Sequence, residues 1–450
     1  MKKDLRKENE YSITNGKILP AFVMFMIPLM ASSCLMQSYG IIDGLIMGNM
    51  IGEEAIGAVN SISPILDVCI LVQIALAGGC SICVSHLYGA ERYSDLSRLI
   101  KDMYKITLVI TIVILAVVFS GAEAFLRLIN TPKDLFASAL TYLRIVFIGV
   151  PFTAIYNLQS GVIRGMGDSK KPLGAIAISS VVNISLDLLF IAVLRLGIGG
   201  AAIATVLAQA MSVAYLQKKI REKLRGIRYD ADDEPEPQVR ECVRLGLPQI
   251  VQSLATSAGN ILLQNVTNLL GATVVIGVTA AFKVDAILVI PLFCLGQATS
   301  VFTGQNAGAA RYDRVRQTLK ISLIFALAVA AVMAVVLWGV GYPLMGVFGL
   351  KEASAAAGYR YIMVCMPFYW LFGLQFVLNG YLNGSKHTLV ASAASIAGLA
   401  GRLTLAYLLY QSVGADVLPA GEAVSWMIVV VIDMIYLACY RKKDTLHNEL

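Results

Sequence analysis

A chain of 450 residues that is 57% hydrophobic and 14% charged, with a mean hydropathy of +0.72, lies outside the composition of soluble globular domains and of disordered segments. Its net charge of +7 comes from short basic clusters between apolar runs, not from one basic face, which argues against a nucleic-acid partner. The eight cysteines fall mostly inside the apolar runs, where a disulfide framework is not expected.

In chain order, the charged leader Met1–Thr14 precedes an apolar window near 18–47. That window is too long for a signal-peptide core and shows no small-residue cleavage site, so it reads as a retained first transmembrane helix. Further windows of spanning length lie near 55–84, 104–121, 136–158, 172–194 and 198–217. Six more lie near 243–269, 274–305, 318–340, 356–380, 388–410 and 418–440. The expected fold is all-α, a polytopic membrane protein of twelve transmembrane helices. Lys and Arg collect in alternate connections: Lys2, Lys3, Arg6 and Lys7; then Arg92, Arg98, Lys101 and Lys105; and, farther on, Arg311, Arg314, Arg316 and Lys320. The positive-inside rule therefore places both termini in the cytoplasm of a plasma-membrane protein.

The chain also repeats itself. Gly89-Ala-Glu-Arg-Tyr93 returns as Gly308-Ala-Ala-Arg-Tyr312, and Arg144 with Pro151-Phe152 returns as Arg360 with Pro367-Phe368. The reading is an N-lobe over 1–217, a charged cytoplasmic linker over 218–240, and a C-lobe with a short tail over 241–450. An even number of spans per repeat makes the two copies parallel.

These features together resemble the multidrug and toxic compound extrusion (MATE) family over nearly the whole chain. The residues that carry the resemblance are Pro28 and the segment Ile42-Asp43-Gly-Leu-Ile-Met-Gly48, the Gly89-Ala90 loop, Ile163-Arg-Gly-Met-Gly-Asp168 and Gln305-Asn306-Ala-Gly308. Asn183, Asp187 and Thr205 resemble its DinF-like branch. The resemblance implies two pseudo-symmetric six-helix lobes around a central cleft, and export of drugs or metabolites driven by H⁺ or Na⁺. Windows seven and ten lack the carboxylates of the NorM-like branch, and Leu403 stands where the repeat would place Asp187, so a single coupling site in the N-lobe is expected.

A carboxyl group in the middle of a membrane helix costs roughly 2.5–3.5 kcal/mol on insertion scales, so each should serve function or find a partner. At about 1.5 Å per residue, Asp43 and Asp187 both lie roughly 7–15 Å below the outer surface. Asn183 is one turn from Asp187, and Thr205 reaches a similar depth. The four are candidate cation-coupling residues, since carboxyl groups exchange protons and oxygens of Asp, Asn and Thr also suit Na⁺. The alternative is plain hydrogen bonding between neighbouring helices.

Gln249, Gln252, Thr256 and Asn260 form a polar stripe on window seven. With Gln37, Asp67 and Asp285 they are candidate residues of a substrate cavity, their mostly neutral character suiting varied organic molecules. For Asp67 and Asp285 the alternative is a structural ion pair with a base such as Lys283 or Arg402. Arg144 and Arg360 are read as snorkelling, and Pro28 as a hinge in the first helix, the alternative being a static kink satisfied by its neighbours.

The expected function is secondary active export of small organic, cationic or amphipathic compounds in exchange for H⁺ or Na⁺. The alternative is a lipid-linked sugar or lipid flippase of the same superfamily. The expected partners are the small-molecule substrate and membrane lipid, with the protein monomeric. No enzyme, metal or cofactor is expected: His86, His387 and His447 make no His-Glu-x-x-His pattern, and Cys80-x-x-Cys83 is half a metal motif.

Overall fold

The computed structural model describes residues 12–128, 131–225, 236–347 and 349–448. The leader cluster Lys2, Lys3, Arg6 and Lys7, and linker residues 226–235 with Asp232 and Asp233, lie outside them. Among the described residues there are fourteen α-helices and no strand. They are α1 (Ile18–Met50), α2 (Glu53–Gly89), α3 (Tyr93–Leu128), α4 (Lys133–Gly165), α5 (Lys170–Asp187), α6 (Gly197–Arg225) and α7 (Val239–Leu269). The remainder are α8 (Ala272–Leu288), α9 (Ile290–Gly308), α10 (Tyr312–Val347), α11 (Glu352–Cys365), α12 (Tyr369–Gly384), α13 (Thr388–Val413) and α14 (Val417–Asn448).

Nine stretches of the described residues are long and apolar enough to cross a membrane, and α8 with α9, bent by 44°, makes a tenth. One of the nine, Thr388–Cys439, contains both α13 and α14. Helix α7 falls outside this set because its polar stripe lowers its hydropathy. Joined end to end, α8 with α9 and α11 with α12 account for the windows expected as single spans at 274–305 and 356–380. The second break is a 3₁₀ turn at Met366–Phe368 around Pro367, where a proline removes a helical donor. Lys218–Arg225, expected in the linker, continues α6 as helix.

The repeat is visible in the backbone. Left-handed residues recur as the pairs Gly52 and Gly271, Glu91 and Ala310, Gly167 and Lys386, and Arg195 and Gly414. Every pair has the spacing that separates Gly89 from Gly308. The turn bonds recur likewise: Arg92 N donates to Leu87 O at 3.0 Å and Arg311 N to Asn306 O at 2.8 Å. A chain reversal that needs positive φ has been kept in both copies even where Glu, Ala, Arg or Lys must adopt it.

The chain divides into two compact units, residues 24–247 and residues 1–23 with 248–450. In the first, α2 packs on α4 through small residues: a Cβ on Gly161 would lie 2.7 Å from Ala77 O, and one on Gly165 2.8 Å from Ser81 O. One core cluster of this unit gathers Leu76, Leu99, Leu158 and Leu245, and a second gathers Ile62, Leu126, Phe147 and Ile191. In the second unit the N-terminal segment is tied down by Arg314, whose guanidinium donates to Ile13 O and Gly16 O at 2.8 Å. Phe22 packs edge-on against Phe302 with ring centroids 5.0 Å apart.

Helices α9 and α12 of the second unit meet at Gly296 and Gly380, where a Cβ on Gly380 would collide with the Gly296 carbonyl. Membrane helices gain little from apolar burial against one another and depend on such close approach. Replacing Gly380 with Val should therefore cost about 1–3 kcal/mol of overpacking, read as a lower thermal unfolding midpoint in detergent. An unchanged midpoint would contradict the contact.

Candidate functional site

The site of residues 24–247 is built from four helices. Tyr39 and Asp43 are one turn apart on α1, as are Asn183 and Asp187 on α5; Thr205 comes from α6 and Tyr142 from α4. Asn183 and Asp187 are fully buried, and Tyr142 is 5% exposed. Asp187 ends α5, and the next six residues, Leu188–Val193, form a π-helical turn in which Leu194 N bonds Leu189 O at 2.9 Å. Such a turn widens the helix locally and is often found where a side chain must be re-aimed.

The four residues expected from sequence to act together are brought together. The carboxyl groups of Asp43 and Asp187 face each other within hydrogen-bonding reach. Asn183 Nδ2 donates to Thr205 Oγ1 at 3.5 Å, and Thr205 Oγ1 donates to Ala201 O at 3.0 Å. Tyr39 lies near Thr205, and Tyr142 lies within electrostatic range of both carboxyl groups. No protein donor reaches either oxygen of Asp187, Oδ1 of Asp43 or Oδ1 of Asn183.

A carboxylate is acceptor-only, so two carboxyl groups can bond one another only if one carries a proton. With neither proton nor metal ion, the pair is a repulsive contact in an apolar bundle. The arrangement can therefore take up a proton between the carboxyl groups, or offer two carboxylates, an amide oxygen and hydroxyls to a hard cation. Tyr39 and Tyr142 were not singled out from sequence. Tyr39 carried a signal in its one-turn spacing from Asp43; Tyr142 sits in an apolar run that carries none.

The candidate cavity residues divide between the units. Gln37 and Asp67 belong to the first and are exposed. Gln249, Gln252, Thr256, Asn260 and Asp285 belong to the second, where Thr256 and Asn260 are exposed and the other three half-buried. Asp285 accepts a hydrogen bond from the Tyr369 hydroxyl at 2.6 Å. The bases suggested for it lie elsewhere: Lys283 is exposed, and Arg402 pairs with Glu422 at 2.5 Å. Glu422 also accepts from the Tyr361 hydroxyl at 3.4 Å. Arg144 and Arg360, expected to snorkel, end in ion pairs with Glu123 at 3.5 Å and Asp416 at 2.6 Å. Pro28 lies inside α1, which continues through it, and its carbonyl accepts from Ser32 Oγ at 2.8 Å.

Long apolar helices that enclose carboxyl, amide and hydroxyl groups at membrane depth define a multi-pass membrane protein of the transporter class. The MatE family model matches residues 28–189 and again residues 248–408, so the chain belongs to the MatE family and carries its unit twice. Probable multidrug resistance protein YpnP of Bacillus subtilis (strain 168) is 32% identical over 377 residues, 83% of this chain and 84% of the relative. Probable multidrug resistance protein YoeA of the same strain is 25% identical over 423 residues, 90% of this chain and 91% of the relative. A crystal structure described as MATE in the bent conformation has the same fold, with a TM-score of 0.89 at 18% identity, covering 97% of this chain and 99% of that one.

Arg402 and Glu422 are 13% and 17% exposed, so each charge depends on the other. Arg402→Met alone should destabilise the protein by about 3–5 kcal/mol, and Arg402→Met with Glu422→Leu should recover most of that loss. Thermal unfolding of the three proteins in one detergent checks this; equal midpoints for the single and double variants would contradict it.

Proposed function

We propose that this transporter exports small organic compounds, cationic or amphipathic, in exchange for H⁺ or Na⁺ taken up at Asp43, Asp187, Asn183 and Thr205. The observation that carries the reading is the facing pair of carboxyl groups, Asp187 buried and Asp43 half-buried, with no protein donor on either oxygen of Asp187 or on Oδ1 of Asp43. Such a pair is stable only with a cation on it, and can therefore be emptied and refilled as access changes. Exchange follows if cation binding alters the bonds that hold α1 to α5 and α6, because α1 also carries Gln37 of the candidate cavity. The relatives named as multidrug resistance proteins support the substrate class, as does the uncharged polar stripe of α7. The protein acts in the cell membrane as a monomer with both termini in the cytoplasm, the orientation read from its Lys and Arg distribution.

Pro28 is the hinge in this reading. It leaves the Met24 carbonyl without a helical donor, and Met24 is where α1 passes from one compact unit to the other. A helix weakened at that rung bends there at low cost.

In liposomes, wild-type protein should move a cationic dye when either a H⁺ or a Na⁺ gradient is imposed, and the gradient that works identifies the ion. Asp187→Asn should lower that flux by about tenfold or more while the protein still inserts and binds dye; wild-type flux would overturn the assignment. Pro28→Ala should slow turnover several-fold and leave dye affinity unchanged. Wild-type turnover in that variant would make Pro28 a static kink.

A further inference from the structure

We propose that Asp433, with the side-chain oxygens of Asn379 and Ser392, forms a second site for a small monovalent cation of the Na⁺ type, inside the unit of residues 248–450. Asp433 lies on α14 and is fully buried, and neither of its oxygens has a hydrogen-bond partner. The nearest buried ion pair on its helix, Glu422 with Arg402, is three turns away. A carboxyl group in this setting is among the costliest in a membrane protein unless something cationic is bound to it.

The neighbouring helices α12 and α13 also carry acceptors in want of a partner. On α12, Gln375, Asn379 and Asn383 follow one another at single-turn spacing, and the side-chain carbonyl oxygen of each is buried and unpaired. On α13, the Ser392 hydroxyl is buried and unpaired as well. The orientation of the Asn379 amide follows from its neighbours: the Ser395 hydroxyl donates to Ala391 O at 2.9 Å, so it accepts from Asn379 Nδ2 at 3.2 Å. That leaves the Asn379 oxygen as the free end.

Helix register brings these residues to the level of Asp433. Trp426 of α14 stacks on Phe372 of α12 with centroids 4.6 Å apart. Asp433 and Asn379 each lie two turns farther along the same faces of these two helices, which share a direction. The antiparallel α13 is fixed against α14 at Gly398, packed on Ser425 and Val429, and again at His387, whose ring meets Tyr436 at 5.5 Å. Ser392, between those contacts, falls opposite Asp433. One carboxylate with neutral amide and hydroxyl oxygens is the ligand type of a hard monovalent ion, whereas a proton on Asp433 would satisfy one neighbour and leave the others orphaned. At the spacing of the internal repeat the first half has Ala214 in place of Asp433, so this site belongs to the second half alone. It therefore departs from the single N-lobe site expected from sequence.

The test is saturable binding of ²²Na⁺ to the purified full-length protein in detergent, with Li⁺ and choline as competitors, for wild type, Asp187→Asn, Asp433→Asn and the double variant. Asp187→Asn should retain a Na⁺ site, and adding Asp433→Asn should weaken the retained binding by about tenfold or more, the scale on which metal sites respond to loss of supporting groups. Absence of ²²Na⁺ binding in Asp187→Asn, or equal binding with and without Asp433→Asn, would overturn the proposal. If Asp433→Asn does not elute as a monodisperse protein, Asn379→Leu with Ser392→Ala in the Asp187→Asn background decides on the same criterion. Because dye flux is measured separately on Asp187→Asn, a failure of this site and a failure of the coupling site give different results.

Discussion

Inside a bilayer a polar group has only other protein groups to bond to, and a charge has nowhere to go except a partner or a mobile ion. Most of the polar side chains in these helices meet that constraint in the simplest way. Ser32, Thr111, Thr267 and Thr299 each return their hydroxyl to the carbonyl one turn back, at 2.6–2.8 Å. Arg402 and Glu422 meet it as a pair, and Asp285 through the Tyr369 hydroxyl. Among the described residues other buried atoms also lack a partner, Gln73 Nε2 and Thr303 Oγ1 for example, but at the Asp43–Asp187 pair and at Asp433 the unpaired atoms are carboxyl oxygens, which a cation would satisfy.

Close helix packing makes this selectivity meaningful. Gly161 and Gly165 press α4 onto backbone carbonyls of α2, and Gly380 and Gly384 press α12 onto those of α9. Helices held at such distances leave little freedom to rotate a polar face away from its position, so an unpaired oxygen remains unpaired. The π-helical turn after Asp187, the bend between α8 and α9 and the 3₁₀ turns at Pro367 and Gly414–Asp416 depart from regular helix among the described residues. The first lies directly beside the carboxyl pair.

The duplication supplies two copies of a scaffold but not two copies of a site. Left-handed turn residues recur at one spacing through both halves, and at that spacing Asp187 corresponds to Ala406 and Asp433 to Ala214. Backbone reversals are constrained by sterics that act on both halves alike, whereas a buried carboxyl group depends on the groups its own half places around it.

Hydropathy, basic-residue clustering and internal repetition determined the helical membrane class, the span positions to within about three turns, and the doubled architecture, because each is a local property of the chain. The grouping of Asp43, Asn183, Asp187 and Thr205 was legible too, since depth along a membrane helix is counted directly in residues. Rotation about each helix axis and register between helices are not local, and only the tertiary structure decided what depends on them. It brought Tyr39 and Tyr142 to the carboxyl pair, gave Asp285 a tyrosine instead of a base, and paired Arg402 with Glu422. It also left Asp433, unremarkable in a long apolar run, buried with no partner of its own.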